Sequence, residues 1–498
     1  MRNKFKPSVH QQAIFDFVTD DARSLIIQAV AGSGKTTTIL NALDLLPDDL
    51  KILFLAFNAS IAKELAERVP EHVLAKTFHS TCFGAWMRAA KTKPEVDEGK
   101  IRKIISKRFG TDDVELYGAF VQRLVGHAKN EGIGYLIPDV SAEWHKIINH
   151  YDLTLDYEAA TIDRAIDLAQ KTLRASDQNL TVFDFDDMLR IPLIKDVRFF
   201  QNDFVFVDEA QDTNPVQRAL LKRMVSPRGG RLIAVGDSAQ AIYGFRGASS
   251  DAMDIIKCDF GCEELPLSVS YRCSKAVVRK AQEVVPHIEF FESAPEGSVE
   301  SLGTYSEATF NAADAILCRN TAPLVGFAFA LIGRGVGCQI LGREIGAGLV
   351  KLIEKMKAKG VDALGAKLEG YREREVAKLM SKGKESAAEA INDRVDCIQL
   401  FLRQLDENHR TVPALIRKIE DLFSDRNSAG LLTLCTAHKS KGREWNTVFL
   451  LDANEYMPSK WARQKWQQEQ ELNLIYVAYT RAMTNLHFIS SNRWGGVA

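Results

Sequence analysis

The sequence predicts an α/β protein built from parallel sheets flanked by helices, and three observations carry this prediction. A glycine-rich segment, residues 29–36, follows the apolar run of residues 25–27 and precedes a predicted helix that begins near Thr36. Two further apolar runs, residues 204–207 and 232–235, have the length expected of buried parallel strands. Acidic residues follow the first of these runs directly.

The glycine-rich segment has the features of a phosphate-binding loop. It reads Ala-Val-Ala-Gly-Ser-Gly-Lys-Thr and lies between a predicted strand and a predicted helix, the context that this pattern requires. Gly32 and Gly34 can adopt positive φ, so that backbone N–H groups close around a β-phosphate at the positive end of the helix. Lys35 would reach the β and γ phosphates. The residues predicted to contact nucleotide here are Ala29, Val30, Ala31, Gly32, Ser33, Gly34, Lys35, Thr36 and Thr37.

Two carboxylates, Asp208 and Glu209, follow the apolar run of residues 204–207. In an open α/β sheet, residues at the carboxyl end of such a strand lie beside the phosphate loop. Acidic residues in this position are often ordinary helix caps. Together with the phosphate loop, however, they indicate ATP hydrolysis, with Mg²⁺ held by Thr36 and Asp208 and with Glu209 as the general base on the attacking water.

The composition sets broad limits. A chain of 498 residues is too long for one core and predicts two to four domains. A hydrophobic content of 46% and a charged content of 26% are typical of a soluble globular protein. The net charge of −1 neither supports nor excludes a nucleic-acid partner. The eight cysteines form no CxxC pair, and no apolar run reaches the length of a membrane span, so we expect reduced thiols, a cytoplasmic protein and no membrane partner.

A third motif identifies a family. Residues 236–248 read Gly-Asp-Ser-Ala-Gln-Ala-Ile-Tyr-Gly-Phe-Arg-Gly-Ala, which strongly resembles the third motif of superfamily 1 (SF1A) DNA helicases of the UvrD/Rep type. Residues 57–64, 77–80, 267–272, 436–445 and 476–482 resemble motifs Ia, Ib, IV, V and VI of that family, in the family order. The sequences of these motifs are most similar to those of the F-box DNA helicase branch. We nevertheless expect no F-box before the motor and no fused nuclease or long tail after it.

The resemblance implies two RecA-like domains with ATP bound between them. Residues 1–90 and 181–262 would form domain 1A, and residues 263–343 and 428–498 would form domain 2A. Residues 91–180 and 344–427 are mostly helical in pattern and would form two insertions, 1B and a short 2B.

The resemblance also assigns roles around the nucleotide. Gln11 would read adenine, Tyr271 would stack on it and Glu444 would bind the ribose. Gln240 would contact the γ-phosphate, and Arg272 and Arg481 would be arginine fingers, although an arginine taken alone is more often a surface ion-pair residue. The implied catalytic set is Lys35, Asp208, Glu209, Gln240, Arg272 and Arg481.

Single-stranded nucleic acid is bound by aromatic stacking and backbone contacts that tolerate any base sequence. Any aromatic residue could instead belong to a core, an alternative that stays open here. The residues predicted to contact the strand are Asn58, Phe78, His79, Tyr243, Phe245, Arg246, His438 and Lys439.

The function implied is an ATP-dependent helicase or translocase that moves 3′ to 5′ on single-stranded DNA during replication, recombination or repair. Its partners would be single strands, tailed or forked duplexes and a protein loading partner. We expect a bacterial or phage-infected cell, or the nucleus if the source is eukaryotic. An RNA helicase, or an ATPase switch within a nuclease or defence complex, stays open as an alternative.

Overall fold

A computed structural model describes residues 6–155, 157, 159–242, 244, 251–302, 309–381, 383–406, 410–424 and 430–491. The chain divides into two compact units, Met1–Ser268 and Val269–Ala498. Each unit contains one large sheet in which every pair of neighbouring strands is parallel. The predicted α/β class with parallel sheets is confirmed. Within these ranges no helix has both the length and the apolar character needed to cross a membrane.

The first unit contains eight strands and eleven helices within its described residues. The strands are β1 (Leu25–Ala29), β2 (Ile52–Ala56), β3 (Val73–Thr77), β4 (Glu95–Val96), β5 (Val182–Phe183), β6 (Phe204–Val207), β7 (Arg231–Gly236) and β8 (Glu263–Leu267). The helices are α1 (Val9–Asp20), α2 (Lys35–Leu43), α3 (Ala59–Ala66), α4 (Phe78–Ala90), α5 (Lys100–Arg108), α6 (Thr111–Glu131), α7 (Ser141–His150), α8 (Ile162–Gln178), α9 (Phe185–Ile194), α10 (Pro215–Met224) and α11 (Ala252–Phe260).

The first sheet has the order β3-β2-β6-β7-β1-β8. Its central strands β1, β2, β6 and β7 are buried almost throughout, as expected for a parallel sheet covered by helices on both faces. Because β1, β7 and β6 are neighbours, the loops that follow them meet at one edge of the sheet. The predicted phosphate loop, Asp208–Glu209 and the segment containing Gln240 follow these three strands.

Helices α5 to α8 lie within residues 91–180, for which we predicted a helical insertion, and they have a core of their own. Trp144, Phe120 and Leu124 are buried at its centre, where aliphatic side chains of the four helices surround them. Helix α9, which comes next, instead packs with α4 and α10 against the sheet. Within the first unit, helix α6 of the insertion packs against α9 and α10.

One predicted boundary differs in the structure. We assigned residues from 263 onwards to the second RecA-like domain, but β8 (Glu263–Leu267) pairs in parallel with β1 and completes the first sheet. The two compact units divide at Ser268. This strand lies at the edge of the sheet, where its charged residues remain in contact with solvent, so its sequence lacks the apolar run that marks a buried strand.

The second unit contains nine strands and eight helices within its described residues. The strands are β9 (Val269–Ser270), β10 (Glu289–Phe290), β11 (Ser298–Ser301), β12 (Ala315–Cys318), β13 (Cys338–Leu341), β14 (Phe423–Ser424), β15 (Leu432–Thr436), β16 (Trp445–Leu451) and β17 (Ala482–Ile489). The helices are α12 (Lys275–Ala281), α13 (Thr321–Ile332), α14 (Arg343–Lys355), α15 (Val361–Ser381), α16 (Glu385–Arg403), α17 (Val412–Leu422), α18 (Ala453–Tyr456) and α19 (Lys465–Tyr479).

The second sheet has the order β11-β17-β16-β12-β15-β13-β14. Helices α14 to α17 occupy the predicted second insertion, but they share one core with this sheet. Leu364 and Phe401 of the helices belong to the same buried cluster as Ile316 and Leu434 of the strands. The strand β14, which we assigned to the insertion, pairs with β13 of the sheet. This insertion is thus packed on the second unit rather than built around a separate core.

Candidate functional site

The loop between β1 and α2 has the conformation predicted for a phosphate-binding loop. Gly32 and Gly34 have φ of 71° and 77°, a region that other residues rarely adopt, and Gly34 is the N-cap of α2. Ser33 is 1% exposed, and its hydroxyl oxygen has no hydrogen-bond partner among the described residues. A buried hydroxyl and the N–H groups of a helix N-terminus together suit a phosphate group.

The other predicted contacts of this loop are arranged around it. The side chains of Ala29, Val30 and Ala31 are buried in the unit, so they can contact a phosphate only through their backbone. Thr36 is half-buried and Thr37 is exposed on the first turn of α2.

Lys35, the first residue of α2, points toward carboxylates. Its Nζ lies 3.2 Å from Oε2 of Glu209. Burial alone would lower the pKa of Lys35, but the charges of Glu209, Asp237 and Asp208 outweigh it and raise this pKa. The lysine therefore carries its positive charge in the position where the sequence predicts the β and γ phosphates.

Asp208 and Glu209 occupy the end of β6, as predicted. Asp208 is 8% exposed, and its Oδ1 accepts a hydrogen bond of 2.9 Å from the backbone N–H of Glu209. Burial and the neighbouring charge of Glu209 raise the pKa of Asp208 to about 6. Glu209 has a φ of 51°, the left-handed region that is strained for a glutamate. Such strain is characteristic of functional positions, and the Glu209 carboxylate lies beside Lys35.

Gln211 and Asp237 complete this edge of the sheet, and our site prediction missed both. Nε2 of Gln211 donates to Oε2 of Glu209 at 2.5 Å, while its Oε1 accepts from the backbone N–H of Asp237 at 3.1 Å. Oδ2 of Asp237 accepts from Nε2 of the predicted Gln240 at 2.7 Å. A Cβ on Gly236 would lie 2.4 Å from Oε1 of Gln211, so a larger residue there would displace the Gln211 amide. Gln211 lies two residues after Glu209, and Asp237 lies three residues before Gln240. Their closeness in sequence to predicted site residues is the signal that could have identified them.

The predicted adenine-reading residue Gln11 lies beside the loop and is already bonded. Its Nε2 donates to Oγ1 of Thr38 on α2 at 3.1 Å, and its Oε1 accepts from the backbone N–H of Ser8 in a capping box at the start of α1. Gln11 therefore fixes α1 to α2 next to the phosphate loop.

In the second unit, Arg272 and Glu444 are brought together. Nε of Arg272 lies 2.5 Å from Oε2 of Glu444. Tyr271 is 41% exposed, and its ring centroid is 5.0 Å from that of Phe291. The arrangement offers an exposed aromatic face beside an ion pair, which is compatible with the predicted contacts to adenine and ribose.

Arg481 is buried, with 1% of its surface exposed. Its Nε donates to the carbonyl oxygen of Val477 at 2.9 Å, and its Nη1 donates to that of Arg443 at 3.0 Å. These bonds tie the end of α19 to the segment before β16. The role of Arg481 toward a γ-phosphate stays a prediction.

Phe78 is a correction among the predicted strand contacts. It is 5% exposed and packs in the core of the first unit, because the first turn of α4 faces the sheet. The side chain of Asn58 caps α3 by accepting from the backbone N–H of Ile61 at 2.9 Å. Two aromatic residues that we did not predict, Phe57 and Phe185, are 44% and 52% exposed.

His79 and Phe185 form an edge-to-face pair with ring centroids 6.1 Å apart. Burial lowers the pKa of His79, so the imidazole is neutral near pH 7 and can stack or donate without adding charge. The predicted contacts Tyr243, Phe245 and Arg246 lie outside the described residues.

The last two predicted strand contacts follow β15. Burial and the nearby charge of Arg319 lower the pKa of His438 to about 4, so this histidine is neutral near pH 7. Nζ of Lys439 lies 2.5 Å from Oε1 of Glu344. The predicted contacts of His438 and Lys439 with the DNA strand stay predictions.

Comparison with known proteins decides the family. The model of the UvrD/REP helicase N-terminal domain matches residues 10–261, and that of the UvrD-like helicase C-terminal domain matches residues 347–493. The chain belongs to the UvrD/REP helicase family. The resemblance on which the sequence analysis rested is confirmed, and the loop, the carboxylates and Gln240 described above all lie within the N-terminal match.

Several relatives are similar over much of the chain. F-box DNA helicase protein 1 of Schizosaccharomyces pombe is 25% identical over 528 residues, which cover 96% of this chain and 56% of the relative. F-box DNA helicase 1 of Gallus gallus is 23% identical, with coverages of 96% and 48%. ATP-dependent DNA helicase PcrA of Staphylococcus aureus is 27% identical over 307 residues, with coverages of 55% and 39%. The chain spans about half the length of the two F-box DNA helicases and 39% of the length of PcrA.

Proposed function

We propose that this protein hydrolyses ATP and uses the energy to move 3′ to 5′ along single-stranded DNA and to separate duplexes. The observation that carries the proposal is the gathering of Lys35, Asp208, Glu209 and Asp237 at one edge of the first sheet. The relatives named above are DNA helicases by name, which favours DNA over RNA as the track. We further propose that the protein acts in DNA replication, recombination or repair, in the cytoplasm or the nucleus. A protein partner would load it onto the DNA.

The hydrolytic step follows from the positions of three side chains. Water attacks the γ-phosphorus, the bond from that phosphorus to the bridging oxygen of ADP breaks, and Glu209 takes the proton from the water. The Gln211 amide orients the Glu209 carboxylate. Lys35 and the backbone N–H groups of the loop bind the phosphate oxygens, where negative charge accumulates in the transition state.

The residues present also fit Mg²⁺. The hydroxyl of Thr36 and the carboxylate of Asp208 are hard oxygen ligands of the kind that this ion prefers, and Mg²⁺ sites use few protein ligands. The raised pKa of Asp208, about 6, marks a buried carboxylate whose ionised form a cation would stabilise. When bound, Mg²⁺ supplies charge neutralisation on the phosphate oxygens. Asp208 and Thr36 would hold the ion, which leaves Glu209 available for the water.

Single-stranded DNA would stack on exposed aromatic side chains of the first unit. Phe57 and Phe185 are the best candidates because both rings are about half exposed, whereas Phe78 is enclosed in the core. His79 would support the Phe185 ring from its edge. In the second unit, Arg272, Tyr271, Glu444 and Arg481 keep their predicted roles toward the nucleotide.

The experiment that tests the proposal measures ATP hydrolysis and strand displacement on the same preparations. The substrates are duplexes with a 3′ tail, a 5′ tail or no tail, and single-stranded RNA is included as a competing activator. Displacement restricted to the 3′-tailed duplex, with hydrolysis stimulated by DNA, is the expected result. Hydrolysis without displacement would reduce the function to a translocase or a switch, and stronger stimulation by RNA would favour the RNA alternative.

Two lysine variants control this experiment. Lys35→Ala removes the cation from the phosphate loop and should abolish hydrolysis while single-strand binding remains. Lys51→Ala changes an exposed lysine just before β2 and should leave both activities at the wild-type level. DNA-stimulated hydrolysis by Lys35→Ala would reject the phosphate-loop assignment.

A further inference from the structure

The last turn of α6, in the helical insertion, holds the first turn of α9 through buried charges. Nζ of Lys129 lies 2.6 Å from Oδ2 of Asp184 and 2.7 Å from Oδ1 of Asp187. Lys129 is 1% exposed and Asp187 is fully buried. Removing one partner of such a group leaves an uncompensated buried charge, so this contact fixes α9 firmly to α6.

The next residue of α6, Asn130, extends the contact in two directions. Its Oδ1 accepts a hydrogen bond of 2.8 Å from Nδ2 of Asn214. Its Nδ2 donates to the carbonyl oxygen of Gly126 at 3.0 Å and, more weakly, to Oδ1 of Asp186 at 3.4 Å. A single amide therefore joins α6 to the start of α10 on one side and to α9 on the other.

On the first side, a short segment of bonded residues links Asn214 to Asp208 and Glu209, the two carboxylates proposed to act on ATP. Glu209 is followed by the 3-10 turn Ala210–Asp212, and Thr213 closes this turn with a hydrogen bond of 2.8 Å from its Oγ1 to the carbonyl oxygen of Ala210. Asn214 then caps α10. A displacement of Glu209 would move Asn214 with it, because the intervening residues are bonded to one another.

On the second side, Asp186 follows Phe185 directly. Phe185 is the exposed ring that stands edge-on to His79, and its neighbours Asp184 and Asp187 are the residues held by Lys129. The end of α6 therefore holds the chain on both sides of this ring.

We propose that Asn130 couples the two sites: its hydrogen bonds to Asn214 and Asp186 transmit the state of the nucleotide carboxylates to the Phe185 ring that stacks on single-stranded DNA. Asn130 is a positioning residue that contacts neither nucleotide nor DNA. This inference rests on the proposed function, because it assumes that ATP and single-stranded DNA bind to the first unit.

The test compares Asn130→Leu with the wild-type chain in two measurements. One is ATP turnover with and without a thymidine oligonucleotide. The other is the affinity for that oligonucleotide with and without a non-hydrolysable ATP analogue. Leucine keeps the branched shape of the side chain and removes its three hydrogen bonds, to Asn214, Gly126 and Asp186. We expect basal turnover and nucleotide-free affinity within about two-fold of wild type, while stimulation by DNA and the effect of the analogue each fall by at least about five-fold.

A second variant keeps the fold of α10 and breaks the same link. Asn214→Ser retains an N-cap side chain but lacks the amide N–H that reaches Asn130. It should reproduce the Asn130→Leu result, and it decides the question if Asn130→Leu does not fold. The double variant should lose no more coupling than either single variant, because both changes remove one connection. Asn149→Leu, an exposed change in the same insertion, should leave coupling intact.

Three results would overturn the inference: unchanged coupling in both single variants, additive losses in the double variant, or a loss of nucleotide-free affinity equal to the loss of coupling. In each case the wild-type chain would still bind DNA and hydrolyse ATP. A wild-type chain that DNA does not stimulate would instead refute the proposed function, and the inference with it.

Discussion

The charge on Asp208 should destabilise the folded protein in the absence of nucleotide, and replacing it with asparagine tests this. The pKa of Asp208 rises from 3.8 to about 6 on folding, because burial and the charge of Glu209 oppose ionisation more than Lys35 favours it. The folded chain therefore binds a proton more tightly than the unfolded chain. Between pH 3.8 and about 6 its stability falls as the pH rises, and above that range the cost is constant.

The magnitude follows from the size of this rise. At 1.36 kcal/mol for each pKa unit, the ionised carboxylate costs about 3 kcal/mol at pH 7.5. Asparagine removes the charge and keeps an oxygen to accept the Glu209 N–H. Its new amide N–H group costs about 1 kcal/mol if it remains buried without a partner. We therefore expect Asp208→Asn to stabilise the protein by about 2 kcal/mol, which corresponds to roughly 4 to 8 °C in Tm for a unit of this size.

The assay is calorimetric melting of both chains at pH 7.5 and pH 4.5 without nucleotide or Mg²⁺. The stabilisation should shrink at pH 4.5, where the wild-type carboxyl group is mostly protonated in the folded chain. Asp20→Asn, an exposed change at the end of α1, is the matched control and should have little effect at either pH. The reasoning is refuted if Asp208→Asn lowers the Tm at pH 7.5 or if its gain is the same at both pH values.

Three other substitutions test individual assignments. Glu209→Gln should still bind ATP but lower turnover by roughly 10² to 10⁴, the contribution of a general base, and normal turnover in a rapid-quench assay would reject that role. Phe185→Ala should weaken binding of a single-stranded oligonucleotide by about 1 to 3 kcal/mol at little cost in stability, and unchanged fluorescence anisotropy titrations would remove it from the strand path. Phe78→Ala should instead destabilise the chain by about 3 to 5 kcal/mol in urea unfolding, and a small effect there would contradict its burial.

The sequence was sufficient for the parts of the fold that rest on local patterns. The runs at residues 25–27, 204–207 and 232–235 became β1, β6 and β7, because an unbroken apolar segment can be buried on both faces only inside a parallel sheet. The same patterns could not predict β8, whose residues Glu263, Glu264 and Pro266 belong to an edge strand. Its place in the sheet depends on pairing with β1, which is a distant contact.

At the edge of the first sheet where β1, β6 and β7 end, the sequence predicted Lys35, Asp208 and Glu209 but missed Gln211 and Asp237. Lys35, Asp208 and Glu209 have side chains whose chemistry indicates a role directly. Gln211 and Asp237 act through hydrogen bonds that join the ends of β6 and β7, and such bonds exist only once the two strands are adjacent. Motif spacing indicates that these residues are near the site but does not indicate which atoms they hold.

The aromatic residues show where local pattern stops being informative. Phe78 and Phe185 each occupy the first position of a helix, and each follows an N-cap residue, Thr77 or Asp184, that closes a capping box. The two local sequences are therefore equivalent in backbone terms, yet Phe78 is 5% exposed and Phe185 is 52% exposed. The difference comes from packing, because α4 directs its first turn into the sheet, while the buried carboxylates on either side of Phe185 are held by Lys129. Lys129 of α6, more than fifty residues away in the chain, thus holds the segment that presents the exposed Phe185 ring, so the burial of these two aromatic residues depends on distant packing and not on the local motif.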